Sequence, residues 1–200
     1  LGQNILAVTA SPFTERQIDK TKAKLAALHL EIPCLSSGCC LKYPEKRDEV
    51  VSEIRQYVDL AAKLGTPFLR ILGDQDPAPS GEVDDEYVAD VLTELAGIAE
   101  GSGVTLLVET NGVYADTKRL AKLLDRVGRP SVAALWDMHH PYRYAGELPK
   151  ETVRNLGSRI RYTHTKDSVV VDGKVRYRMM GEGDLPVYEM LDALKDIGYD

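Results

Sequence analysis

Six short, mostly apolar runs recur along the chain, at 4–9 (NILAVT), 32–37 (IPCLSS), 67–73 (PFLRILG), 104–110 (VTLLVET), 131–138 (SVAALWDM) and 160–167 (IRYTHTKD), and helical periodicity fills most of the gaps between them. Runs of this length and character predict strands buried on both faces. Thr14 and Gln17 stand at capping-box spacing ahead of Ile18, Leu25 and Leu28, which predicts a helix over 14–30. In 45–64 the residues Val50, Val51, Ile54, Val58, Ala61 and Leu64 form an apolar stripe, and Gly65 follows where a left-handed cap is wanted. Further helices are predicted over 84–100, 116–127, near 150–157 and from about Pro186. Alternating strand and helix means parallel pairing with right-handed crossovers, so the chain must form a doubly wound sheet or a barrel.

The polar residues at the strand ends decide between the two. Glu109, Asp137 and His164 each end a successive strand, 28 and then 27 residues apart. A barrel gathers consecutive strand ends around one axis, whereas an open sheet fans them apart, and no GxGxxG turn marks a nucleotide crevice. The expected fold is therefore α/β, a (β/α)8 TIM barrel. Eight such units take about 250 residues. With six strands in 200 residues, the expectation is one single domain over 1–200, truncated at both ends, lacking about one strand-helix unit before it and the last strand after it.

Composition narrows the partners. A net charge of −6 disfavours nucleic acid, whose binders carry clustered basic surface. No stretch approaches the roughly 18 apolar residues of a bilayer span, and the first 20 residues lack a signal-peptide pattern, so the expected setting is soluble and cytoplasmic, with no membrane partner. Cys34, Cys39 and Cys40 match neither a zinc spacing nor a disulfide framework and read as buried or loop thiols of a reducing compartment.

Strand alternation shows which side chains share a face. Glu109 lies with Leu107 and Thr105, Asp137 with Leu135 and Ala133, and His164 with Tyr162 and Lys166. Two carboxylates and an imidazole facing one barrel mouth are natural ligands for a single divalent ion, Mn2+, Mg2+, Co2+ or Zn2+, and without a cation the carboxylates would repel one another. The plainer alternative pairs each carboxylate with strand-end amides or with an interior arginine such as Arg70. Three strand ends in succession favour the metal.

At these residues the chain resembles a known family. "VETNG", "WDMHHPY", "YTHTKD" and "GEGDLP", in this order, look like the xylose isomerase-like barrel superfamily, the sugar phosphate isomerase/epimerase group that also includes inosose and dehydroshikimate dehydratases and an apurinic-site endonuclease. The resemblance implies that Glu109, Asp137 and His164 are metal ligands, that Glu109 also serves in catalysis, and that His140 contacts substrate or metal. Simple alternation would instead send His139 inward, but Pro141 marks the strand as already over. A fourth ligand, a glutamate on the last strand that is also an acid/base partner, is implied beyond Asp200. Ketohexose epimerases carry a glutamate six residues after the first ligand and an arginine six after the last histidine; here these positions hold Ala115 and Val170. Lys166, and residues 174–178, could instead hold a carboxylate or hydroxyls, although a solvated hairpin around "VDGKV" explains Lys174 as well.

The implied chemistry is proton transfer by a carboxylate next to a metal-polarised carbonyl of a small polyhydroxylated substrate, a sugar, sugar phosphate or polyol. Return of the proton to the other carbon is isomerisation and to the opposite face epimerisation; expulsion of a β-hydroxyl is the dehydratase alternative. A non-catalytic sugar-binding barrel and a repair endonuclease are weaker readings, the latter because its metal cluster needs more than the four histidines present. A homo-oligomer stays open. Trp136 is expected to pack between strand and helix, His29 to be a surface residue near a helix end, and the acidic loop 73–86 to cap the active face with Asp74 as a marginal site candidate.

Overall fold

The computed structural model of the protein describes residues 7–199. After two short 3-10 turns, helix α1 (Ile18–Ala27) leads into strand β1 (Cys34–Cys40), and the chain alternates through α2 (Arg47–Leu64), β2 (Phe68–Leu72), α3 (Asp85–Ala99), β3 (Thr105–Glu109), α4 (Thr117–Val127) and β4 (Val132–Asp137). Two successive helices, α5 (His139–Ala145) and α6 (Pro149–Leu156), precede β5 (Ile160–His164); β6 (Asp167–Val171) and β7 (Lys174–Arg178) form an antiparallel hairpin, and α7 (Val187–Asp196) follows. Strands β1 to β5 lie side by side in sequence order, every pair parallel. They are consecutive staves of a TIM barrel.

Alternation divides the core as the barrel requires. Trp136, Leu69, Ile71, Leu106, Val108 and Ala134 face outward into the main core under the helices, whereas Leu107, Ala133 and Leu135, with Phe68 and Tyr162 against them, make a small separate cluster on the inner face. The helices form where local signals and apolar faces agree. Asp84 caps α3 by accepting from the Glu86 and Tyr87 amides, Asp116 caps α4 in the same way, and Gly65 ends α2 at φ 74°.

Several expectations are corrected. Residues 4–6 of the first expected strand lie outside the described residues, and Ala7–Thr9 form a 3-10 turn rather than its end. The described parallel sheet therefore has five strands, not six. Helix α1 starts four residues later than expected because Thr14 bonds back to Ser11 O at 3.1 Å instead of capping, and Leu28 is 55% exposed, off the apolar face. Strand β1 begins at Cys34 and runs on through Cys40; the three cysteines are free thiols in that strand, Cys39 and Cys40 buried, as one of the two expectations had it, and Cys34 half-buried. The run 160–167 is broken: β5 stops at His164 and Asp167 opens the hairpin. Among the described residues no helix is long and apolar enough to cross a membrane.

Candidate metal centre

Parallel register brings the strand ends level. Glu109 pairs with Leu135, and Asp137 with His164, so the carboxylates and the imidazole meet at one rim of the sheet, above the inner apolar cluster. His164 Nδ1 lies 3.1 Å from Glu109 Oε1 and 3.9 Å from Asp137 Oδ2. From the start of α5, His140 Nε2 comes within 3.5 Å of Asp137 Oδ2. One donor atom each from Glu109, Asp137 and His140 lies within 4.8 Å of the others, all three residues buried. The five residues singled out in the sequence thus converge, because Lys166 also reaches in: its Nζ donates to Asp137 Oδ2 and to His140 Nε2, the latter at 3.1 Å.

Hydrogen bonds and burial set the state of His140 and Glu109. His140 Nδ1 is 3.1 Å from the Thr110 carbonyl, which can only accept, so Nδ1 carries the proton and Nε2 presents a bare lone pair to the centre. Burial holds the His140 ring below its ordinary pKa; Asp137 opposes this and Lys166 adds to it. Burial alone would raise Glu109, but the hydrogen bond from His164 and the charge of Arg70 outweigh it and hold the carboxyl down at about 2. Arg70 Nε stands 3.1 Å from Glu109 Oε2, so the interior arginine does pair with this carboxylate. Asp137 Oδ1 likewise accepts the His139 amide at 3.1 Å, so each carboxylate keeps one oxygen in a local bond and turns the other to a ring, Glu109 Oε1 toward His164 and Asp137 Oδ2 toward His140. Two carboxylates, a bare imidazole nitrogen and a second ring beside them fit a divalent ion, and the ammonium of Lys166 among them shows that the cluster draws positive charge.

His139 is turned away from the centre. Its Nε2 meets Ser168 Oγ on the hairpin at 3.0 Å, and alternation fails to place it because a helix, not a strand, begins at His139. Arg143 ties the same Ser168 to Asp184. Asp74 is drawn into a loop knot instead of the centre: Lys42 pairs with its Oδ1 at 3.0 Å and the Val113 amide with its Oδ2 at 3.0 Å. Residues 174–178 are the outer strand of the hairpin that "VDGKV" announced, with Asp172 and Gly173 at φ 51° and 70° in its turn. Trp136 is buried in the outer core as expected. Sequence reasoning missed Thr110, which positions both Asp137 and His140; the only hint was its place beside Glu109.

A family model described as xylose isomerase-like TIM barrel matches residues 2–200. Among solved structures, a xylose isomerase domain protein from Planctomyces limnophilus superposes with a TM-score of 0.81 and 22% identity, covering 96% of this chain and 76% of that one. A D-psicose 3-epimerase from Clostridium cellulolyticum H10, solved with D-tagatose, gives 0.76 and 20% identity over 95% of this chain and 70% of its own. The IOLI protein, solved with a bound zinc atom, gives 0.74 and 19% over 94% and 74%. At these identities the likeness shows the fold. No curated protein matches in sequence.

Proposed function

We propose, from the premise that the chain belongs to the xylose isomerase-like TIM barrel family, that it is a divalent-metal-dependent isomerase or epimerase of a small sugar, sugar phosphate or polyol. The observation that carries this reading is the meeting of Glu109, Asp137, His140 and His164 at one rim of the barrel. These four residues would hold the ion, Mn2+, Mg2+, Co2+ or Zn2+, as the zinc of the IOLI structure supports. Once bound there, the ion would polarise the substrate carbonyl and acidify the adjacent C–H.

The chain's own groups do the rest. Glu109 is ionised at every physiological pH and is the carboxylate here that can take the proton from carbon, although one held near 2 is a weak base. Lys166, its side chain 36% exposed, is the cation placed to meet a substrate oxygen at the mouth. The inner apolar layer of Leu107, Ala133 and Leu135 closes the floor against water. Ala115 is fully buried and Val170 lies on the hairpin, so the glutamate and arginine of the ketohexose epimerases have no counterpart at these positions. We therefore place the substrate outside the free ketohexoses, among polyols or sugars bearing an acidic group, in a soluble cytoplasmic setting.

The test is metal analysis of the purified protein, followed by incubation with inososes, sugar phosphates and ketoses in deuterated water. Incorporation of deuterium next to the carbonyl, lost by roughly 100-fold or more in Glu109→Gln, is the expected result. Loss of water from the product would convert the reading to dehydratase. Sugar binding without exchange would make the protein a sensor.

A further inference from the structure

Asp137 carries the most demanding charge at the rim. Its carboxylate is wholly buried, and an ionised carboxylate in that position requires a cation beside it. His140 is not that cation: its Nδ1 faces the Thr110 carbonyl, and its Nε2, 3.1 Å from an ammonium that can only donate, is the accepting nitrogen. Lys166 is: it donates to Asp137 Oδ2 and points a second N–H at the bare Nε2 of His140, 3.1 Å away. These residues are two of the three whose donor atoms lie within 4.8 Å of one another. An ammonium and a divalent ion cannot share them. Each needs the same electron pairs, and two cations so close repel one another.

We propose that Lys166 is an exchangeable counter-ion of the centre, balancing Asp137 until a divalent ion takes its place and being expelled toward the barrel mouth when that happens. The proposal rests on the metal-centre reading above. The geometry allows the exchange, because Lys166 lies between the end of β5 and the start of the hairpin, outside both strand ladders, and its side chain is already 36% exposed. Release would put the ammonium in the mouth, where the substrate arrives. Ion uptake and readiness for substrate then become one event, and a barrel without its ion keeps a neutralised floor instead of a bare buried charge.

Lys166→Met, which keeps the stem and removes the charge, separates the roles. Calorimetric titration with Mn2+ is expected to show affinity at least about tenfold tighter than in the unaltered protein, because the competitor is gone. In EDTA the same variant is expected to melt roughly 5 °C or more lower, because Asp137 has lost its partner. A second measurement needs no variant: acetylation of Lys166 by an amine-reactive ester, read by mass spectrometry, is expected to be several-fold faster in Mn2+ than in EDTA. Equal or weaker Mn2+ binding by Lys166→Met, or labelling of Lys166 that Mn2+ leaves unchanged or slows, overturns the exchange while the metal centre stands. Unaltered protein that takes up no Mn2+ overturns the metal-centre reading and the exchange with it.

Discussion

Thr110 offers the centre no donor atom, yet it places two of the residues whose donor atoms meet there. Its hydroxyl accepts the Asp137 amide at 2.9 Å and donates to the Asp137 carbonyl at 3.2 Å, while its own carbonyl takes the His140 Nδ1 proton at 3.1 Å. Thr110→Val keeps the shape and removes the two hydroxyl bonds, so a loss of about 1–3 kcal/mol is expected in urea unfolding. Mn2+ affinity is expected to fall about 10-fold or more although no donor has changed, as happens when the groups behind metal ligands are removed. An unchanged affinity would show that Asp137 and His140 hold their positions without it. Glu109, Asp137 and His164 were legible in the sequence because period-2 alternation and strand-end position are local properties. Thr110 was not, since its partners depend on how β3 sits against β4. His140 was placed by family resemblance against alternation; the structure supplies the reason, a helix starting at His139 that turns successive side chains by about 100° rather than 180°.

Among the elements, the hairpin after β5 departs most from the periodic pattern. No glycine or proline interrupts the sequence from Ile160 to Val171, but the parallel ladder ends at His164 and β6 leaves it. What holds the departure is Asp167, whose buried carboxylate accepts the amides of Ser168 at 2.8 Å and of Gly181 and Gly183 at 2.9 Å. Gly183 has no alternative, because a Cβ there would come within 1.8 Å of Asp167 Oδ1. Bonds to a charged acceptor contribute about 1.5–3 kcal/mol each, and losing several at once removes the reason for the turn. Asp167→Ala is therefore expected to speed amide hydrogen exchange at least several-fold across residues 167–185, while α2 and β2 keep their protection. Full protection of the hairpin in that variant would mean that Ser168, through Arg143 and His139, anchors it alone. Helices α3 and α4 were legible because an aspartate cap and an apolar face agree. Helix α1 misled because the capping-box spacing was present and its bonds went elsewhere, and α5 was hidden by Pro141, which sits in the first turn, where a proline is tolerated.

Among the described residues, apolar side chains fill the space between sheet and helices, whereas the buried carboxylates and imidazoles are Glu109, Asp137, His139 and His140 at the rim, Asp167 at the foot of the hairpin and Asp74 in the loop after β2. Acid should therefore attack the protein from the rim, in an upper window opened by His139 together with His140 and a lower one opened by Glu109. Burial, with the charges of His140, Lys166 and Arg143 adding to it, lowers His139 from an ordinary 6.5 to about 4. The folded state thus keeps His139 neutral while the unfolded chain protonates it; the stabilisation is complete above 6.5 and drains away as pH falls from 6.5 toward 4. Glu109 follows at lower pH: its contribution is complete above its ordinary 4.5 and is lost as pH falls toward about 2. Between pH 7 and pH 5 the upper window is open, and the share of His139 in it is about 2 kcal/mol, with His140 acting in the same direction. Urea unfolding in EDTA at those two pH values measures it. His139→Phe preserves a ring for Tyr144 and Tyr177 to pack on and cannot titrate, so its stability should change by about 2 kcal/mol less over that interval than the unaltered protein's. Equal losses in the two proteins would move the acid-sensitive charge away from His139, and with it the expectation that the hairpin's seat on His139 is the first part of the rim to give way.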